Sequence, residues 1–192
     1  AGAVFNVFFG RMIEGQGGHH TEGHEEGHAH HHAKPWAGYL ASGLVFISFL
    51  LSLYVFIQVL GGQKYNVDYL DWIIVDTLRI TFGFLIDPLT GVMLLIVTGI
   101  GFLIHVYSLG YMEHDPDRPR FFTYLNLFIF SMLMLVMGNN LAVMFFGWEA
   151  VGLCSYLLIG YYYKKKSAGD AGKKAFIVNR IGDFGFILGM LL

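Results

Sequence analysis

Charge is what this sequence has least of. Only 14% of its 192 residues are Asp, Glu, Lys or Arg, against about 25% in an average soluble domain. That is too little to coat an ordinary water-facing surface. Cysteine occurs once, at Cys154, which excludes an internal disulfide and any cysteine-cluster metal site. Set in an apolar run, Cys154 reads as a small buried apolar side chain. Basic residues are not in excess either. The formal net charge is −2, so no basic surface points to nucleic acid. The sequence also lacks a GxGxxG after a strand, a phosphate loop, a CxxC pair and a paired-histidine helix motif. Those absences leave no seat for a nicotinamide, flavin, haem or iron–sulfur cluster, so any electron-transfer chemistry must belong to other chains.

What the chain has instead is long apolar runs. Hydrophobic residues make up 55% of it, and four stretches are long enough to cross a bilayer. The first is 36–60, around "YLASGLVFISFLLSLYVFIQVL", and the second is 88–112, uncharged apart from His105. A run from Phe121 with Glu149 as its one charge is split by "GNN" at 138–140, a turn signal, into 121–137 and 141–163. A fifth stretch, 175–192, is still apolar at the last residue, and 1–10 is apolar but too short to span. Both ends therefore look cut inside helices. The expected fold class is an all-α polytopic membrane protein with four complete transmembrane helices and truncated helices at both ends.

Loops set the orientation. Lys and Arg number five in 164–174, two in 113–120 and two in 1–35, against two in 61–87 and none in 138–140. The lysine-rich loop 164–174 and the loop 113–120 are thus expected in the cytoplasm, and 61–87 on the outer face. Within 61–87, "TLRITFGF" places Leu78, Ile80, Phe82 and Phe84 at alternate positions, which is strand periodicity. With "VDYLDWIIV" before it and Asp76-Thr77 between, a small outer-face β-hairpin is expected. The segment 11–35 contains seven histidines, His19, His20, His24, His28, His30, His31 and His32, mixed with glutamates. It reads as a solvated, low-complexity cytoplasmic loop. Metal binding by neutral imidazoles is the alternative, and no ordered metal site is assigned.

The residues that need explaining are the polar ones inside the spans. Between Phe121 and Tyr163 the only charge is Glu149, and a carboxylate near a helix centre costs about 2.5–3.5 kcal/mol even on insertion scales. At 1.5 Å per residue it lies roughly 4–5 Å from the centre of 141–163. Asp183 falls near the middle of a span that starts at Ala175, and Arg180 precedes it by one turn, so the two share a helix face and can pair. His105 sits about 7 Å to the cytoplasmic side of its helix centre. A structural ion pair would account for Arg180 and Asp183, and a helix–helix hydrogen bond for His105. Glu149 is harder to explain structurally, because its own helix offers no cation. Gly147, Ala150, Gly152 and Ser155 around it are small enough for close helix approach, which turns the carboxylate toward protein or internal water. Intramembrane carboxylates of this kind mark proton or ion relays.

Three stretches carry a resemblance: "GFLIHVYSLGYM", "NLAVMFFGWEAVGLCSYLLIGYYY" and "AGKKAFIVNRIGDFGFILG". Together with "DPLT" at 87–90 and "RFFTYLNLFIFSM", they resemble the largest antiporter-like subunit of respiratory complex I, closely from Asp87 to Leu192 and loosely through the hairpin. The resemblance implies an inverted-repeat antiporter-like fold and proton translocation through a buried Glu/Lys relay, driven by remote NADH:quinone electron transfer. NADH, FMN, iron–sulfur clusters and quinone would reside in other subunits. Glu149 matches the essential glutamate, Arg180 and Asp183 the charged pair of the next helix, and Lys174 the lysine before it. His105 joins them as a candidate proton-carrying residue. The resemblance further implies other membrane-arm subunits as partners, a neighbouring antiporter-like subunit above all, in a bacterial inner membrane or an equivalent energy-transducing membrane. The histidine tract has no counterpart in the family pattern, and the sequence stops before the lysine that the family pairs with this glutamate. Large subunits of multi-subunit cation/proton antiporters and membrane-bound hydrogenases share the glutamate motif and form the alternative. A purely structural membrane anchor is the remaining one.

Overall fold

The structure, a computed structural model, describes residues 36–192 other than Thr77. The expected helix remnant at 1–10 and the histidine-rich loop at 11–35 lie outside the described residues. Five helices and one hairpin follow in chain order: α1 (Trp36–Leu60), β1 (Tyr65–Val75), β2 (Leu78–Ile86), α2 (Pro88–Tyr111), α3 (Arg118–Met137), α4 (Leu141–Ile159) and α5 (Lys166–Leu191). Among the described residues, α1 to α4 are long and apolar enough to cross a membrane. The chain is a multi-pass membrane protein, mostly helical, with a small two-stranded sheet.

Helix starts are written locally. Asp87 caps α2 by accepting from Thr90 N at 2.8 Å, and Pro88 occupies the first helical position, where a missing N–H costs nothing. Asn140 caps α4 by accepting from Ala142 N at 3.1 Å and Val143 N at 3.0 Å. The "GNN" turn thus ends one span and opens the next.

Burial is inverted relative to a water-soluble bundle. Many side chains turned inward are small or polar, among them Ala41, Ser42, Thr98, His105, Asn126 and Ser131, beside a few large ones such as Phe122 and Met112, while Leu51, Tyr54, Ile57, Leu103 and Tyr107 face out. That distribution suits a lipid surround, where large apolar groups need no burial and helices associate through small residues. Hydroxyls inside the bundle close back on their own helix: Ser42 donates to Gly38 O, Thr98 to Leu94 O and Ser131 to Leu127 O. Gly147 is the tightest crossing of consequence. A Cβ there would lie 2.5 Å from Leu135 N and 2.6 Å from its Cα, so α4 meets the α3 backbone directly.

The hairpin pairs antiparallel from Tyr65↔Ile86 to Val75↔Leu78, with irregularities between Asp68 and Leu70 and between Asp71 and Ile73. Asp76, at φ 51°, supplies the left-handed turn residue that an aspartate tolerates. One end of the bundle is closed by this hairpin against the α3–α4 turn. Asn139 Nδ2 donates to Asp68 Oδ1 at 2.6 Å, and Asn140 Nδ2 to Thr81 O at 2.6 Å. At the opposite end the α2–α3 and α4–α5 connections dock: Tyr161 donates to Asp115 Oδ1 at 2.9 Å, and Arg120 Nη2 to Tyr161 O at 3.2 Å.

Three boundaries correct the sequence reading, the first being α3, which begins at Arg118 inside the stretch 113–120 expected as a loop. α5 begins at Lys166, inside the stretch 164–174 expected as a loop. Its Lys and Ala residues are good helix formers, and the helix extends before its apolar part starts. α4 ends at Ile159, so Tyr161 to Tyr163 belong to a turn and not to the span assigned over 141–163.

Candidate functional site

The interface of α4 and α5 brings three charged side chains together. Glu149 projects from α4, and Arg180 and Asp183 from α5, one helical turn apart. Arg180 Nη1 forms an ion pair with Glu149 Oε2 across the interface. Its Nε lies 3.1 Å from Asp183 Oδ2, an ionic contact without the alignment of a hydrogen bond. The other Asp183 oxygen, Oδ1, accepts from Trp148 Nε1 at 2.7 Å. One guanidinium is therefore shared by two carboxylates, and one indole N–H fixes the deeper of the two. Asp183 is buried, Glu149 about three-quarters covered and Arg180 the most open, at 5%, 25% and 37% side-chain exposure.

Packing explains why the helices can place these groups. Gly152, one turn after Glu149, faces Arg180 closely, and a Cβ there would touch its Nη2 at 3.6 Å, an ordinary van der Waals contact. The guanidinium also rests over the Phe176 ring at 4.8 Å. Trp148 is held by Phe186 of α5, with ring centroids 6.2 Å apart and planes within 26°. Counted as ionised groups, the cluster holds two negative charges and one positive.

The remaining expected site residues lie elsewhere. His105 is fully buried on α2, its Nδ1 2.8 Å from Gly101 O and its ring beside Phe122 of α3. Its Nε2 has no partner among the described residues, and no contact joins it to the α4–α5 cluster. Lys174 is exposed near the start of α5, roughly 9 Å along the axis from Arg180. It forms no ion pair among the described residues. The described residues also hold no group of three or more His, Cys, Asp or Glu placed to bind a metal.

Two features of the site escaped the sequence reading. One is the Glu149–Arg180 pair, which depends on how two helices rotate against each other. The other is Trp148. A tryptophan in an apolar span has one N–H to satisfy, and that requirement was the available signal.

This fold, with a glutamate and a Gly-Trp-Glu run in a helix-bundle membrane protein, defines a class. Residues 138–192 match the transmembrane family of NADH:quinone oxidoreductases and Mrp antiporters, and residues 72–122 match the N-terminal family of complex I chain 5. The chain belongs to this antiporter-like membrane-subunit family. Within it the similarity runs to subunit L of NADH-quinone oxidoreductase. The Rhodobacter capsulatus subunit L is 50% identical over 159 residues, covering 79% of this chain and 22% of that protein. The Mycobacterium tuberculosis subunit L is 54% identical over 121 residues, covering 63% and 19%. The chain thus spans about a fifth of the length of these relatives. In fold it superimposes on the Mrp complex of a Dietzia species with a TM-score of 0.71 at 21% identity, covering 97% of this chain and 17% of that one. It also superimposes on the archaeal membrane-bound sulfane sulfur reductase, with a TM-score of 0.74 at 15% identity over 98% and 34%.

Proposed function

We propose that this chain is part of a proton-translocating membrane subunit of NADH-quinone oxidoreductase, with Glu149 taking up and releasing the proton. The observation that carries the reading is the sharing of Arg180 between Glu149 and Asp183. A carboxylate balanced between partial burial and a cation that a second carboxylate also holds can load and unload a proton when that cation shifts. Of the two carboxylates, Glu149 is the more accessible, so it is the one that exchanges with water or with the next group of the relay. That next group is a lysine in the Glu/Lys pairing implied by the family. The chain itself performs no redox step. NADH, FMN, iron–sulfur clusters and quinone act in other subunits, and membrane-arm neighbours, including another antiporter-like subunit, are the partners. The setting is a bacterial inner membrane, with the end carrying 113–120 and 164–174 in the cytoplasm and the hairpin outside.

The test is Glu149→Gln in the full-length subunit within its complex. Glutamine keeps the shape and removes an expensive charge, so assembly stays normal or improves. Proton pumping collapses, while NADH oxidation by an artificial acceptor at the peripheral arm survives. Near-normal pumping at normal assembly would overturn the assignment. The fold match to the Mrp complex supports a second reading, a cation/proton antiporter subunit. Co-purification of NADH-oxidising peripheral subunits with the full-length protein decides between the two.

A further inference from the structure

Arg180 is the shared member of the cluster, yet its contacts with the two acids leave its plane loosely fixed. Nη1 meets Glu149 Oε2, but Nε, 3.1 Å from Asp183 Oδ2, is buried without a hydrogen-bond partner among the described residues. The side chain is also 37% exposed, so one side is open for it to swing away. What covers the guanidinium is the Phe176 ring, one turn earlier on α5, whose centroid lies 4.8 Å from Arg180 Cζ. Four positions apart, the two residues share a helix face. A guanidinium over an aromatic ring is attracted by the electron-rich face, and this attraction needs no aligned acceptor. The ring is held in turn by α4. Tyr156 lies 5.6 Å from it, centroid to centroid, with the planes at 60°. Tyr156 also lies over Gly172, where a Cβ would sit 3.4 Å from its Cδ2.

We infer that Phe176 is a positioning residue: its ring face holds the Arg180 guanidinium in the pose that presents Nη1 to Glu149. The inference rests on the relay reading of Glu149 and adds what sets the cation on which that relay depends. Phe176 moves no proton itself and acts through Arg180. The ring meets the face of the guanidinium while Glu149 meets its edge, so both contacts are made at once. The ring therefore adds to the paired pose and does not compete with it. A leucine at position 176 would fill space against Tyr156 but offer the cation no such face. Without the face, Arg180 turns more often toward its open side, and the share of molecules with the cation on Glu149 falls. Loss of a partly exposed contact of this kind changes that share roughly two- to fivefold.

The experiment replaces Phe176 by phenylalanine analogues in the full-length subunit assembled in its complex. Mono-, di- and trifluorinated rings weaken the negative face in steps while keeping nearly the same shape. Two further analogues separate electronics from bulk. A para-cyano ring is strongly electron-poor, and a para-methyl ring of similar size keeps its electron-rich face. Pumping per assembled complex should fall stepwise along the fluorine series, by roughly two- to fivefold at its end. The para-cyano ring should match that end, and the para-methyl ring should pump near the native level. Phe176→Leu should pump no better than the trifluorinated protein. A flat fluorine series, or equal losses with the cyano and methyl rings, would show that Phe176 supplies bulk alone. Either result overturns the inference, even if Phe176→Leu fails to assemble. Glu149→Gln is measured in parallel. If it pumps normally, the relay reading falls and this inference with it. If it collapses while the fluorine series stays flat, only the role of Phe176 falls.

Discussion

Arg180 on α5 forms an ion pair with Glu149 on α4, and this contact crosses the helix interface beside the hydrogen bond from Trp148 to Asp183. The same guanidinium reaches Asp183 one turn further on, at 3.1 Å. Its removal therefore exposes two carboxylates to each other at once. Arg180→Met should lower the amount of assembled subunit, whereas Arg180→Met with Asp183→Asn should recover much of it, because only one acid remains and it can bind a proton. A buried polar group left without its partner costs about 1–3 kcal/mol. The cost falls mainly on Asp183, whose side chain is 5% exposed. Quantifying the subunit in the purified complex checks this. Equal losses in the single and double variants would show that the three groups do not act as a unit.

The two docked ends of the bundle predict sidedness. The hairpin is tied to the 138–140 turn by the Asn139–Asp68 and Asn140–Thr81 bonds, and the 112–117 and 160–165 connections are tied by Tyr161 and Arg120. Thiol labelling of Lys64→Cys should occur from outside sealed cells, and Ser167→Cys should react only after the membrane is opened. Both positions are exposed and outside the tying bonds. Labelling of Ser167→Cys from outside would reverse the orientation.

Much of this architecture can be read from the chain because apolar run length and turn residues are local properties. The runs beginning at Trp36, Pro88 and Leu141 are helices from those residues, and Asp76 turns the hairpin. The Arg180–Asp183 spacing puts both groups on one face whatever the helix packs against. Other features depend on tertiary geometry and leave no local mark. That Arg180 meets Glu149, and that Trp148 reaches Asp183, depends on how α4 and α5 rotate against each other. Lys174 illustrates the converse. A family position carried over by motif lands on an exposed turn of α5, away from the cluster.

Tyr161 gives the loop end a pH signature. Burial, followed by its bond to Asp115, pushes the phenol above its ordinary value. Below about pH 10 the phenol is neutral in both folded and unfolded chains. Above it, the unfolded chain releases this proton while the folded one retains it, so unfolding becomes progressively easier as pH rises. Tyr161→Phe should therefore melt lower at neutral pH, by about the 1.5–3 kcal/mol of a hydrogen bond to a charged group. It should also lose less stability on going to alkaline pH. Thermal melts of the detergent-purified full-length subunit across that range test the sign. An unchanged alkaline slope would remove Tyr161 from the account.

The last prediction concerns reach. Glu149→Asp retains a group that titrates but withdraws the carboxylate by one methylene from Arg180, with which the native glutamate is in direct ionic contact. Charge balance in the cluster is unchanged, so assembly should be near normal. The proton must cross a longer gap, and Asp183 gains the larger share of the guanidinium. Pumping should therefore fall to an intermediate level, above Glu149→Gln and below native. A glutamate needed only for its shape would give the reverse ranking, with Gln tolerated and Asp damaging, because Gln preserves length and Asp does not. Measuring pumping in the three proteins at matched assembly separates a proton carrier from a strut, and Glu149→Gln pumping better than Glu149→Asp would count against the carrier.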